Sequence, residues 1–415
     1  MLSCYRILDL TDEKGFLCGK VLGDLGADVI KIEKPGGDAS RNRGPFYHDI
    51  PDGEKSLYWF AFNASKRGIT LDIEKSDGRE IFKRLVQTAD VVVESFAPGR
   101  MQALGLGYEV LREVNPGIIL TSITGFGQEG PYANYNDRDI AVWALSGFMY
   151  AMGEPDRPPL APSYRHAHLI GAVNGAVGTA IALFHRAKTG EGQRVDSATH
   201  QGLCFAISTE TKTPWATEKV IITRHGRNRT RIAAKDGETW FPFLWECKDG
   251  SVILTTRFGI GSEKSNQMLV DWIEGDGIDA GVLRRIDWRN DDWGKYTIAE
   301  LDEMAVTIGS FLRKHAREEL LEGALERRIQ LTPVLTPKDQ LEFPQLVARE
   351  FWQKVEHPEL GADLTYPGGF VRLSDGECRI RRRAPLIGEH NEEIYGEELG
   401  LSKRELLALK ERQVI

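Results

Sequence analysis

Residues 5–33 read YRILDLTDEKGFLCGKVLGDLGADVIKIE, and this stretch decides the fold. Tyr5 to Leu10 alternates and is rich in large apolar residues, which is strand chemistry. Leu17, Val21, Leu22 and Leu25 recur at helical spacing, and Gly26 ends that helix. Asp28 to Glu33 is a second strand, stopped by Pro35-Gly36-Gly37. Strand, helix and strand in this order make a βαβ unit, so the sheet is expected to be parallel and the fold class α/β.

Working outward, the alternation continues. Ser76 and Asp77 are candidate caps for a helix with Ile81, Phe82, Leu85 and Val86 on its apolar face. Asp90 to Glu94 reads as a buried strand, with Ser95 to Gly99 as the loop at its C-terminal end, where open α/β sheets hold ligands. A helix over Tyr108–Val114 and a strand over Ile118–Ile123 follow. Ile170 to Leu183 is apolar and rich in glycine and alanine, which predicts a central helix approached closely by its neighbours. Beyond residue 205 the order changes. Arg224 to Asp236 is polar and basic and reads as a linker. Glu238 to Leu254 predicts two short strands around a Lys248-Asp249-Gly250 turn. Helices are expected near Ser265–Glu274 and Thr297–Leu325, and a terminal one over Ser402–Leu409.

Composition narrows the function. The 415 residues carry a formal net charge of -8, which argues against nucleic acid as a partner. The five cysteines form no C-x-x-C pair, so neither a disulfide framework nor a zinc site is expected. Asp9, Asp12 and Glu13 interrupt any leader-like run. No stretch reads as a membrane span, and a cytoplasmic location is expected.

Six blocks in order resemble the family III CoA-transferases, the formyl-CoA and carnitine type. They are Leu22 to Glu33, Asn63 to Asp72, Gly125 to Pro131, Asp139 with Ala144 to Gly147, Arg186 with Thr189 to Asp196, and Pro385 to His390. The resemblance implies a Rossmann-like large domain and a smaller α+β domain joined by two long linkers, with two chains interlocked as a dimer. On this chain it implies a large CoA-binding domain at 1–204, a linker at 205–224 and a small domain at 225–330. A return linker at 331–390 and a C-terminal helix at 391–415 rejoining the large domain complete the expectation.

The same resemblance implies CoA or acyl-CoA as substrate, with no metal. CoA needs cations for its phosphates and an apolar slot for its adenine. On matching positions Arg41 is the first phosphate candidate and Leu71 and Ile73 wall the adenine. Lys75, Phe96, Arg100 and Met101 come from adjacent loops. Ser95 stands where many members have asparagine, and Glu74 where a basic residue is common. The family's nucleophile is an aspartate that carries CoA as its own acyl thioester, which only a carboxylate can do. Counting back from Leu183, Arg186 and Thr189-Gly190, its position falls on His168, and no Asp or Glu occurs from Arg157 to Lys188. The fold's other chemistry, 2-methylacyl-CoA racemisation, needs a histidine where Arg138 stands and an aspartate at His168. The glycine-rich loop of formyl-type members is missing near Arg231 to Asp236. His166 and His168, two apart, would face one side of a strand as a metal pair, but no third ligand is near. His185, His200 and His390 read as structural.

The resemblance therefore implies no catalytic residue in this chain and a homologous partner subunit that supplies the aspartate, in a heterodimer or heterotetramer. Paired enzymes of this kind exist in the family. The rival readings are a CoA-thioester binding or regulatory protein, and a homodimeric acyl-CoA enzyme using His168 or Asp139 as general base.

Overall fold

The computed structural model describes residues 1–154, 156–206 and 228–415. Six parallel strands form the main sheet: β1 (Arg6–Asp9), β2 (Asp28–Glu33), β3 (Lys66–Thr70), β4 (Val91–Glu94), β5 (Ile119–Thr124) and β6 (Arg194–Ala198). Their order is β3-β2-β1-β4-β5-β6. Leu8 pairs with Ile30 on one side and Val92 on the other, so the chain leaves β1 in one direction and returns at β4 in the other. Ligands of such sheets bind at the carboxyl ends of the strands where the order reverses.

The helices follow from the apolar spacing. They are α1 (Phe16–Asp24), α2 (Leu57–Asn63), α3 (Ser76–Val86), α4 (Arg100–Ala103), α5 (Tyr108–Val114), α6 (Asp139–Leu145), α7 (His166–Thr189) and α8 (Thr199–Ala206). In α3 Ile81, Phe82, Leu85 and Val86 are buried as the spacing predicts. Ser76 is its first helical residue, so the N-cap falls on Lys75, which makes no side-chain capping bond. The central helix α7 is longer than its apolar run. By length and composition it could cross a bilayer, contrary to the expectation of no such stretch. Its glycines explain its place instead. A Cβ at Gly175 would sit 2.8 Å from Ile123 Cδ1, and one at Gly178 2.7 Å from Val195 Cγ1, so only glycine lets the helix lie this close to β5 and β6.

Two compact units separate. The first holds Met1–Phe148, the chain from Ala161, and Pro344–Ile415; the second holds Met149–Leu160 and the chain up to Phe343. In the second, β7 (Arg229–Ala234) pairs antiparallel with β8 (Gly237–Pro242). A three-stranded sheet combines β9 (Leu244–Cys247), β10 (Gly250–Leu254) and β11 (Leu331–Pro333). The Lys248-Asp249 turn is present between β9 and β10. The stretch read as a linker over Arg224–Asp236 is thus mostly a hairpin strand; its residues before 228, and those of the 205–224 linker after 206, lie outside the described residues. The 331–390 segment is not a linker throughout. Leu331–Pro333 adds a strand to the second unit. In the first unit β12 (Trp352–His357) and β13 (Ala362–Pro367) form a hairpin whose Val355 and Tyr366 pack with Phe16, Trp59 and Phe60. The helix Lys403–Glu411 is capped by Ser402, and Leu409, Val414 and Ile415 join the first unit's core.

Candidate active site

A cleft of about 480 Å³ opens at the carboxyl ends of β1, β2 and β4, at the reversal of strand order. Four of the expected CoA residues line it: Leu71, Ile73, Phe96 and Arg100. Leu71 and Ile73 also belong to the buried core beneath, which fixes them as a rigid apolar wall. Lys34 and Arg100 supply positive charge at the cleft, but both pair with Glu74, at 3.1 and 2.7 Å. Any phosphate must compete with that carboxylate.

The other three candidates lie elsewhere. Arg41 is 1 % exposed and four of its five N–H donors are engaged. Its guanidinium forks onto both Glu33 oxygens at 2.7 Å, reaches Glu54 at 2.9 Å and donates to the Pro385 carbonyl at 2.9 Å. It also stacks on Trp59, 3.9 Å from the ring centre. It ties the cleft floor together and is too buried to meet a phosphate. Lys75 donates to the Arg412 and Gln413 carbonyls, anchoring the C-terminal segment. Met101 is 3 % exposed in the core.

Residues missed in the sequence come from the loop after β1. Thr11, Asp12 and Lys14 line the cleft, and Ser95 Oγ links to Asp12 through two 2.8 Å hydrogen bonds. Their signal was positional: they follow the first strand of a βαβ unit. Just behind, burial pushes the Glu94 carboxyl up to about 7, against the Ser122 hydroxyl and the Phe96 N–H, which donates to it at 2.7 Å.

A second cavity, of about 690 Å³, adjoins the cleft, since Asp12 and Lys14 line both. His168 stands in its wall on the first turn of α7 and is 5 % exposed. His166 and His168 thus lie on a helix, not a strand. His166 is exposed and stacks edge-on with Tyr164. Two positions apart on a helix point about 200° apart, so the two do not converge on a metal.

His168 Nε2 lies 2.9 Å from the Asp137 carbonyl oxygen, an acceptor, so this nitrogen carries the proton. Nδ1 is buried without a hydrogen-bond partner; Asp139 Oδ1, at 4.0 Å, is out of reach. The nearby carboxylates are already engaged. Asp139 Oδ1 accepts the His168 backbone N–H at 3.2 Å, and Asp137 Oδ2 accepts from Gly125 N–H at 3.2 Å and Lys14 at 3.3 Å.

The family model CoA-transferase family III matches residues 2–391. The chain belongs to this family. It is 36% identical over 400 residues to succinyl-CoA:(R)-benzylsuccinate CoA-transferase subunit BbsE of Thauera aromatica, covering 95% of this chain and 93% of that protein. It is 31% identical to formyl-CoA:oxalate CoA-transferase of Streptomyces coelicolor, covering 100% and 99%. Among solved structures, a CAIB/BAIF family protein from Brucella suis superposes with a TM-score of 0.80 at 28% identity, covering 95% of this chain and 98% of that one. A family III CoA-transferase uses CoA thioesters as substrates.

Proposed function

We propose that this chain is the nucleophile-lacking subunit of a heteromeric CoA-transferase that moves CoA between carboxylic acids. The observation that carries this reading is His168, an imidazole buried in the cavity wall where the family's reactive aspartate is expected. Imidazole cannot hold CoA as its own acyl thioester, so the covalent steps fall to a homologous partner chain with the aspartate. The relative from Thauera aromatica is itself named as a subunit, which supports a partnered assembly and makes succinyl-CoA and benzylsuccinate, in anaerobic aromatic degradation, the donor and acceptor we assign.

CoA is read into the cleft with its adenine against Leu71 and Ile73 and its phosphates toward Lys34 and Arg100. Arg41, Lys75 and Met101 hold the walls rather than the ligand. An interlocked dimer would cover the apolar stripe of α7, where Val173, Val177, Ile181 and Phe184 are 40%, 53%, 63% and 64% exposed along one face. A cytoplasmic location fits acyl-CoA substrates.

Isolation from the native host, with mass spectrometry of what accompanies the chain, tests the assembly. A homologous chain of similar length bearing the aspartate should copurify, and transferase activity should require both. A homodimer of this chain that transfers CoA unaided would refute the reading.

A further inference from the structure

We propose that the amino ends of β2 and β3 carry a binding site for a phosphate-class oxyanion, built by Arg381 and Arg382. It lies at the opposite end of the sheet from the cleft and does not depend on the CoA reading. A pocket of about 180 Å³ opens there, lined by Ser65, Arg67, Arg381 and Arg382, with Asp28 in its wall. The backbone that presents the two arginines is fixed. Ser65 N–H donates to the Arg382 carbonyl at 2.9 Å, and Arg381 N–H donates to Ser65 Oγ at 3.1 Å. Both guanidiniums are exposed, and neither forms an ion pair among the described residues. Arg381 reaches only the Glu377 carbonyl, at 3.4 Å. The carboxylates nearby are already matched. Asp28 accepts from Arg6 and from Arg67, and Glu393 accepts from Arg67. Two positive charges are left over at the pocket, and an anion is what they lack.

A second observation, at His390, points the same way. Gly68 N–H donates to its Nδ1 at 3.1 Å, and Arg382 Nη1 aims a donor at its Nε2 at 3.3 Å. An imidazole carries at least one proton, so its two nitrogens cannot both accept. The Gly68 N–H is set by the backbone of β3, so Nδ1 is the acceptor and the proton sits on Nε2. Arg382 Nη1 and His390 Nε2–H are then two donors face to face. Protonating the ring does not relieve this, and burial, with Arg382 and Arg67, holds the His390 pKa below its usual value against the pull of Glu389 and Glu393. An oxyanion oxygen within reach of both nitrogens turns the conflict into two charge-assisted hydrogen bonds. Water satisfies the donors but leaves the charges unmatched.

The test titrates inorganic phosphate, and adenosine 5′-monophosphate in a parallel arm, into the full chain at constant ionic strength, with its partner present when one copurifies. Calorimetry gives the affinity. The His390 ring signal in NMR, assigned with His390→Gln, reports the place. The wild type should bind phosphate and show a shifted His390 signal. Arg381→Gln and Arg382→Gln should each weaken binding about tenfold or more, the scale of one charged hydrogen bond, and the double variant should lose the His390 shift. Both changes spare the backbone bonds to Ser65, so the melting temperature without phosphate should stay at the wild-type value. Tighter binding of phosphate than of the nucleotide assigns the site to the free anion, and the reverse assigns it to a phosphate monoester; either upholds the inference. No binding by the wild type, equal binding by the double variant, or binding that leaves the His390 signal in place overturns it.

Discussion

Arg41 shows how a single side chain changes meaning between sequence and structure. A cation after Gly37-Asp38 reads as a phosphate ligand, because its acidic partners are not adjacent in the chain. Glu33 is eight residues back, and Pro385 lies 344 residues away. Arg41→Ala should leave the Glu33 carboxylate buried and unpaired, costing about 3–5 kcal/mol in chemical denaturation. Lysine should not rescue it, since it lacks the fork and the flat face that rests on Trp59. A fully stable Arg41→Ala whose only defect is CoA affinity would restore Arg41 as a ligand. Glu94 gives a pH dependence. Burial raises it from 4.5 to about 7, so the folded chain keeps a proton that the unfolded chain has lost across this window. Its contribution to stability is therefore full below pH ~4.5 and is lost as pH rises through ~7, by on the order of 3 kcal/mol. Glu94→Gln should flatten that slope, and melts at several pH values would show it. An unchanged slope would place the titration elsewhere. The burial of Glu94 was legible, since Asp90 to Glu94 reads as a buried strand, whereas that of His168 was not, although the substitution at position 168 was.

At the scale of elements, β1, β2, β4 and β5 of the parallel sheet were readable from their apolar runs, whereas β3 (Lys66–Thr70) and β6 (Arg194–Ala198) were not, because they are largely polar. Leu71 and Ile73 were named as cleft walls only through the resemblance, on matching positions, and they do line the cleft. The β7–β8 hairpin was not readable either, because only Ile232 of β7 is buried and the rest of that strand looks like a polar linker. The second half of the return segment was equally opaque, since β12 buries only Val355 and His357 and β13 only Tyr366. The small residues of α7 were the better signal, and they carry a prediction. Gly175→Val puts a branched side chain where even a Cβ meets Ile123 at 2.8 Å. It should cost about 1–3 kcal/mol by overpacking, seen as a lower melting temperature. Because His168 lies on the first turn of the same helix, CoA-dependent properties should suffer with stability. A variant of wild-type stability would mean that α7 does not rest on β5 as described.

At the scale of the molecule, the chain has a family III CoA-transferase fold, and we propose that its cleft takes CoA and that His168 stands in place of the nucleophile. The fold does not depend on the lost carboxylate: the core beneath the cleft, the Arg41 tie and the α7 contacts are all made by other residues. The replacement is then local, and restoring the carboxylate should restore the covalent step. The direct measurement is intact-protein mass spectrometry of this chain after incubation with succinyl-CoA, for the wild type and for His168→Asp, with the partner present when it copurifies. The wild-type chain should gain no mass, and the His168→Asp chain should gain that of CoA less water, lost on hydroxylamine treatment. A hydroxylamine-sensitive CoA adduct on a carboxylate of the wild-type chain would contradict the account.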